Sequence, residues 1–175
     1  MDELKNDIVI PLKGLAQGEH SFRFVVNGEF FQGFDNGQIK DVDCTVKAQV
    51  TRNQTMAQIF CRMSGFVIVE CDRCLDDLVL KVDVERELTV GFGTVDIDSA
   101  DEQEDVIVID PSEGEVNISQ FVYDYICLSL PMVKVHPEGK CNPEMLSRIC
   151  AETGEPKETN SPFSALKDMI EEKNN

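Results

Sequence analysis

The chain reads as an α+β protein that is mostly β: an antiparallel curled sheet or partly open barrel, with one mid-chain helix and a C-terminal helix. Three observations predict this. Apolar residues alternate with period two in successive runs through the first half of the chain. Turn residues punctuate those runs at short intervals, with no long helical pattern between them. Helical spacing begins only near Asn117. With 175 residues and 42% apolar content, the chain can fill one sizeable core.

The elements follow in order. Ile8, Ile10 and Leu12 alternate, and so do His20, Phe22, Phe24 and Val26 against Ser21, Arg23 and Val25. Asn27-Gly28 and Asn36-Gly37 are turn signals. Val42, Cys44, Val46, Ala48 and Val50 share one phase of a strand, opposite Lys47, Gln49 and Thr51. Met56 to Met63 alternates again, Gly65 predicts a break, and Phe66 to Glu70 is an apolar run of strand length. Leu78, Leu80, Val82 and Val84 form a stripe with Lys81, Asp83 and Glu85 opposite. Val106 to Ile109 is a short strand ended by Asp110-Pro111. Ile118, Phe121, Val122, Tyr125, Ile126 and Leu128 take helical spacing, and Asn117 with Gln120 predicts a capping box. Pro131 ends that helix, and a polar stretch runs from Pro137 to Ser161. Ser161-Pro162 then predicts the start of the last helix, through Phe163, Leu166, Met169 and Ile170. The resulting organisation is a β-rich part over 1–92, an acidic loop over 93–105, and a strand, helix and loop part over 106–175 that docks on the sheet as one structural unit.

The formal charge is −17. That balance disfavours indiscriminate binding to phosphates and suits a basic partner. It is uneven, however. Residues 1–92 hold 10 basic and 15 acidic residues, whereas 93–175 hold 6 and 18. Six acids and no Lys or Arg lie between Thr94 and Asp105, the composition of a solvated loop or of a lure for a basic partner. The better-balanced first part leaves RNA open as a ligand. Arg73 and Lys81 on one hairpin, with Lys47 and Arg52 on the outward sheet phase, are the candidate contacts, set against the plainer reading of a solvated sheet face. No stretch is apolar enough to span a membrane, and Met1-Asp2-Glu3-Leu4-Lys5 lacks the order of a secretion signal, so the expected location is the cytoplasm.

In that compartment seven cysteines are expected to be reduced. Cys44 and Cys61 fall on inward strand phases and Cys127 in an apolar helix, positions of small core residues. Cys71-Asp72-Arg73-Cys74 differs, because a Cys-x-x-Cys at a hairpin turn aims two thiolates at one point. A tetrahedral zinc site needs two further ligands. His136 and Cys141 are the natural candidates, with Cys150 in reserve. Four protein ligands would leave no open position, so such a zinc would be structural. The gap of 61 residues between Cys74 and His136 has to be closed by the fold. Thiol redox catalysis is the weaker reading. It favours a helix N-terminus, whereas here β-rich sequence follows, and Asp72, Asp76 and Asp77 are expected to raise the thiol pKa values against Arg73. No nucleophile has a recognisable motif, and no phosphate-cradling Gly-rich run is present, so neither an enzyme nor a small-molecule substrate is indicated.

Val69-Glu70-Cys71-Asp72-Arg73-Cys74 is similar to the Cys-x-Arg-Cys segment of the YceD family, the bacterial large ribosomal RNA subunit accumulation proteins. Val116-Asn117-Ile118, then Tyr123 to Pro131, then Val133, Val135, His136 and Cys141, resemble that family's Leu-x-Leu-Pro helix and the loop after it. Asn160-Ser161-Pro162-Phe163-Ser164-Ala165-Leu166 resembles its C-terminal Asn-Pro-Phe-x-x-Leu block. Leu75 stands where some relatives have glycine. The resemblance implies a cytosolic, non-catalytic ribosome biogenesis factor that supports accumulation of large-subunit ribosomal RNA. Its partner would be a basic large-subunit ribosomal protein or the ribosomal RNA itself. The alternatives are a zinc-stapled interaction module unrelated to the ribosome and, behind it, a Cys-x-x-Cys thiol oxidoreductase.

Overall fold

The structure, a computed structural model, describes residues 7–34, 37–93, 105–110 and 112–152, the last three of these by backbone alone. Its centre is a five-stranded sheet. Strands β2 (Gly18–Asn27), β3 (Ile39–Arg52), β4 (Met56–Glu70) and β5 (Asp77–Phe92) form an antiparallel meander, and β6 (Asp105–Ile109) completes the order β2-β3-β4-β5-β6. Among the described residues the sheet does not close, and β2 and β6 are its edges. A ribbon of β1 (Val9–Pro11) and β7 (Glu115–Asn117) pairs antiparallel, with Ile10 opposite Val116.

Alternation builds the core directly. Val42, Cys44, Val46, Ala48 and Val50 of β3 and Ala57, Ile59, Cys61, Met63, Val67 and Val69 of β4 are all buried on one face. Leu78, Val82, Leu88 and Val90 of β5 join them. The helix α2 (Ser119–Leu128) covers this face with Val122 and Ile126, and the buried Ile118 precedes its first turn. Tyr123 stacks on Phe34, and Arg86, the one charged residue on the inward stripe of β5, lies 5.0 Å from the Tyr125 ring centre. The Tyr125 hydroxyl donates to Asp105.

Several expectations need correction. The sheet is mixed, because β5 and β6 pair in parallel. The connection between them, from Gly93 onward, is long enough for a crossover and too long for a tight turn. Residues 94–104 of the acidic segment lie outside the described residues, and Asp105 already belongs to β6. Gly65 does not break β4. It lies inside the strand where a Cβ would stand 2.1 Å from the Asp43 carbonyl oxygen and 2.7 Å from Cys44 Cα, so only glycine permits the close pairing of β3 with β4. Asn27-Gly28 opens a one-turn helix, α1 (Gly28–Gln32), because the Asn27 side chain accepts from the Phe30 N–H and the turn buries Phe30 and Phe31.

At α2 the predicted capping box is absent. Asn117 ends β7 and accepts from the Ser119 N–H at 2.8 Å, while Gln120 donates to Asp124 instead. The Ile8 N–H donates to Ser119 Oγ and the Ile8 carbonyl accepts from the Ile118 N–H, so the residue before β1 anchors the start of α2, which has no side-chain cap. The polar stretch holds a further helix, α3 (Pro143–Glu152), opened by Asn142, whose side chain accepts from Glu144, and by Pro143 at its first position. The helix predicted from Ser161 lies outside the described residues.

Candidate metal centre

The turn between β4 and β5 is shaped before any ligand is considered. The Cys71 N–H donates to the Asp76 carbonyl and the Leu75 N–H to the Cys71 carbonyl, both at 2.9 Å. Leu75 closes this loop at φ 62°, a left-handed conformation that explains why glycine suits the position. The folded-back main chain brings Cys71 and Cys74 together, both fully buried.

The segment after α2 is then pinned to this turn. The Asp72 N–H donates to the Lys134 carbonyl at 2.7 Å, and the Lys134 N–H donates back to the Asp72 carboxylate at 2.6 Å. This two-way latch closes the sequence gap and delivers His136 two residues later. Gly139 at φ 77° and the Lys140 N–H to Pro137 carbonyl bond form a tight turn that returns Cys141 to His136.

The result is a cluster of four potential ligands, Cys71, Cys74, His136 and Cys141, whose donor atoms all lie within 4.8 Å of one another. His136 Nδ1 stands 3.4 Å from Cys74 Sγ. On the other side of the ring, Nε2 lies 3.2 Å from the Asp77 carbonyl oxygen. A carbonyl only accepts, so the neutral ring carries its proton on Nε2 and turns the Nδ1 lone pair toward the sulfurs.

The electrostatics separate these cysteines from the others. Burial pushes the Cys71 thiol up, but the N–H groups of Cys74, Arg73 and His136 and the Cys74 thiol outweigh it and bring the pKa down to about 6. The expectation that neighbouring carboxylates govern this pair is therefore wrong for Cys71, because main-chain donors face the sulfur. The Cys71 side chain raises the His136 pKa, against desolvation. Burial raises Cys141, and the Cys74 and Cys71 thiols add to the shift. In the core, burial alone pushes Cys61 up to about 12, and burial takes Cys44 to about 11, as inert apolar-site thiols should behave. Cys127 is half-buried on α2. The side chain of the reserve ligand Cys150 lies outside the described residues.

The four candidate contact residues do not form one patch. Arg52 is on the inward phase of β3, not the outward one, and donates to the Leu12 and Leu15 carbonyls at 2.7 and 2.5 Å. Arg73 is exposed at the turn. Lys81 faces outward beside Asp83 at 3.8 Å. Lys47, by contrast, sits in a row that sequence reasoning missed: Arg23 of β2, Lys47 of β3 and Arg62 of β4 are directly opposite one another on the outer face. Arg62 is paired with Asp83 and Glu85, whereas no ion pair engages Arg23 or Lys47 among the described residues. Outward phase marks each of the three in the sequence, but only the register aligns them. On β4 the exposed Phe60 neighbours Arg62, and the exposed Phe66 lies four residues beyond it, opposite Lys81 of β5.

An open, mixed sheet, with a sulfur-rich cluster tying its central hairpin to the segment after α2, defines a β-rich scaffold with a candidate metal clasp. Comparison with known families then places it: residues 60–170 match the family described as Large ribosomal RNA subunit accumulation protein YceD, and the chain belongs to that family. The match spans more than half of the chain and takes in all four cluster residues. No curated protein and no solved structure matches the chain significantly.

Proposed function

We propose that this protein is a non-catalytic factor of large-ribosomal-subunit assembly, acting in the cytoplasm to support accumulation of the large-subunit ribosomal RNA. Family membership over residues 60–170 is the observation that carries the reading. The direct partner proposed is the RNA, met by the outer face of the sheet. Arg23 and Lys47, directly opposite one another, repel, and phosphates are the natural means of relieving that repulsion, whereas Arg62 beside them already has Asp83 and Glu85. Phe60 beside Arg62, and Phe66 further along the same face, supply surfaces on which unpaired bases stack.

A second reading assigns the partner role to a basic large-subunit ribosomal protein. It is favoured by the 18 acids against 6 basic residues in 93–175. Depletion of the protein tests the shared claim. A fall in large-subunit RNA and in free and assembled large subunits is expected, with small-subunit RNA spared; unchanged large-subunit RNA would refute both readings. Capture of partners from cells separates them, since RNA retained after basic proteins are stripped supports the first and its loss with them supports the second.

A further inference from the structure

We propose that Cys71, Cys74, His136 and Cys141 hold one zinc ion in a closed structural site, and that this ion clasps the segment after α2 to the β4–β5 turn. The claim stands apart from the ribosomal reading, and either can fail alone.

The geometry carries it. Four donors from one chain converge within 4.8 Å of one another, although two come from a hairpin turn and two from a segment about sixty residues later. Zinc bond lengths in a tetrahedron place sulfurs about 3.8 Å apart and sulfur and nitrogen about 3.6 Å apart. The separation of 3.4 Å between Cys74 Sγ and His136 Nδ1 is already close to such an edge. The donor set is soft and sulfur-rich, which selects zinc over magnesium or calcium.

The surroundings fit the same reading. Asp77 holds the far nitrogen of His136 through its carbonyl oxygen, the outer hydrogen bond that orients a ligating imidazole. The Asp72–Lys134 latch sets the approach of the two segments independently of the ligands. Cys71 and Cys74 are both fully buried, a poor setting for thiol exchange with a partner protein but a suitable one for a permanent ion. Four ligands leave no position for water, so the ion holds structure rather than performing chemistry.

The test uses the full chain, purified reduced and without chelator. About one zinc per chain is expected on elemental analysis, and cobalt exchanged for zinc should give the strong visible absorption of a tetrahedral thiolate site. His136→Ala and Cys141→Ser should each lower zinc affinity at least tenfold against a competing chelator, whereas Cys127→Ser should not change it. Asp72→Ala, which removes only the latch carboxylate, should weaken zinc binding about tenfold without altering the cobalt spectrum. Less than about 0.2 zinc per chain in protein supplied with zinc would overturn the proposal, as would a tightly held metal of another kind. Zinc affinity unchanged in both ligand variants would overturn it too. If either variant fails to fold, the cobalt spectrum of the unaltered chain decides: octahedral, weakly absorbing cobalt refutes the site.

Discussion

Arg52 shows how a charge that reads as a surface contact can be structural. Its guanidinium bonds two carbonyls of the chain that leads from β1, at Leu12 and Leu15, and lies 5.8 Å from the Phe92 ring centre. Removing it orphans the Leu15 carbonyl and leaves the Leu12 carbonyl only the long bond from the Leu15 N–H at 3.4 Å. Arg52→Ala is therefore expected to cost about 1–3 kcal/mol in denaturant unfolding, with RNA capture by the remaining folded protein unaffected. Lys47 should behave in the opposite way. It faces Arg23 and Arg62, so Lys47→Gln should raise stability by about 0.3 kcal/mol at low salt while weakening RNA capture. A Lys47→Gln protein that is less stable than the original would show that the row is not under repulsion. Cys44 and Cys61 were legible as core residues from phase alone. The downward shift of the Cys71 pKa was not, because it depends on main-chain N–H groups of Cys74, Arg73 and His136 whose directions only the folded turn and the segment docked on it fix.

At the scale of elements, the meander was legible because each long strand buries one face and exposes the other, which leaves period-two alternation in the sequence. What escaped had no such period. The helix α1 is a single turn capped by Asn27, and α3 announces itself only through Asn142-Pro143 at its start. The parallel pairing of β6 depends on the crossover beyond Gly93, and register, not composition, aligned Arg23 with Lys47 and Arg62. The two halves of the cysteine cluster were each visible, but their meeting rests on the Asp72–Lys134 latch, a contact between residues with no pattern in common. Gly65 is the sharpest test of the sheet. Its missing Cβ lets Asp43 and Cys44 approach, and relief is unavailable because the clashing atoms are main chain and a buried sulfur. Gly65→Ala should cost at least about 2 kcal/mol and lower the midpoint of thermal unfolding, and a neutral result would mean that β3 and β4 are not paired as described.

The whole molecule presents two differently charged regions. The meander carries the outer row of cations, and most of the net charge of −17 belongs to the later part of the chain. That division permits RNA to approach the sheet despite the overall charge, provided the approach is local and salt-sensitive. The cysteine cluster lies at the turn end of the β4–β5 hairpin, where the Asp72–Lys134 bonds hold the segment after α2 against the sheet. The most direct measurement is capture of large-subunit ribosomal RNA by the full chain across a salt series, compared with an Arg23→Glu/Lys47→Glu variant shown to be folded. Selective capture that weakens with salt is expected, with loss of about one to two units from the log–log salt slope in the variant. Capture that is equal in the two proteins at every salt concentration would contradict RNA binding by this row.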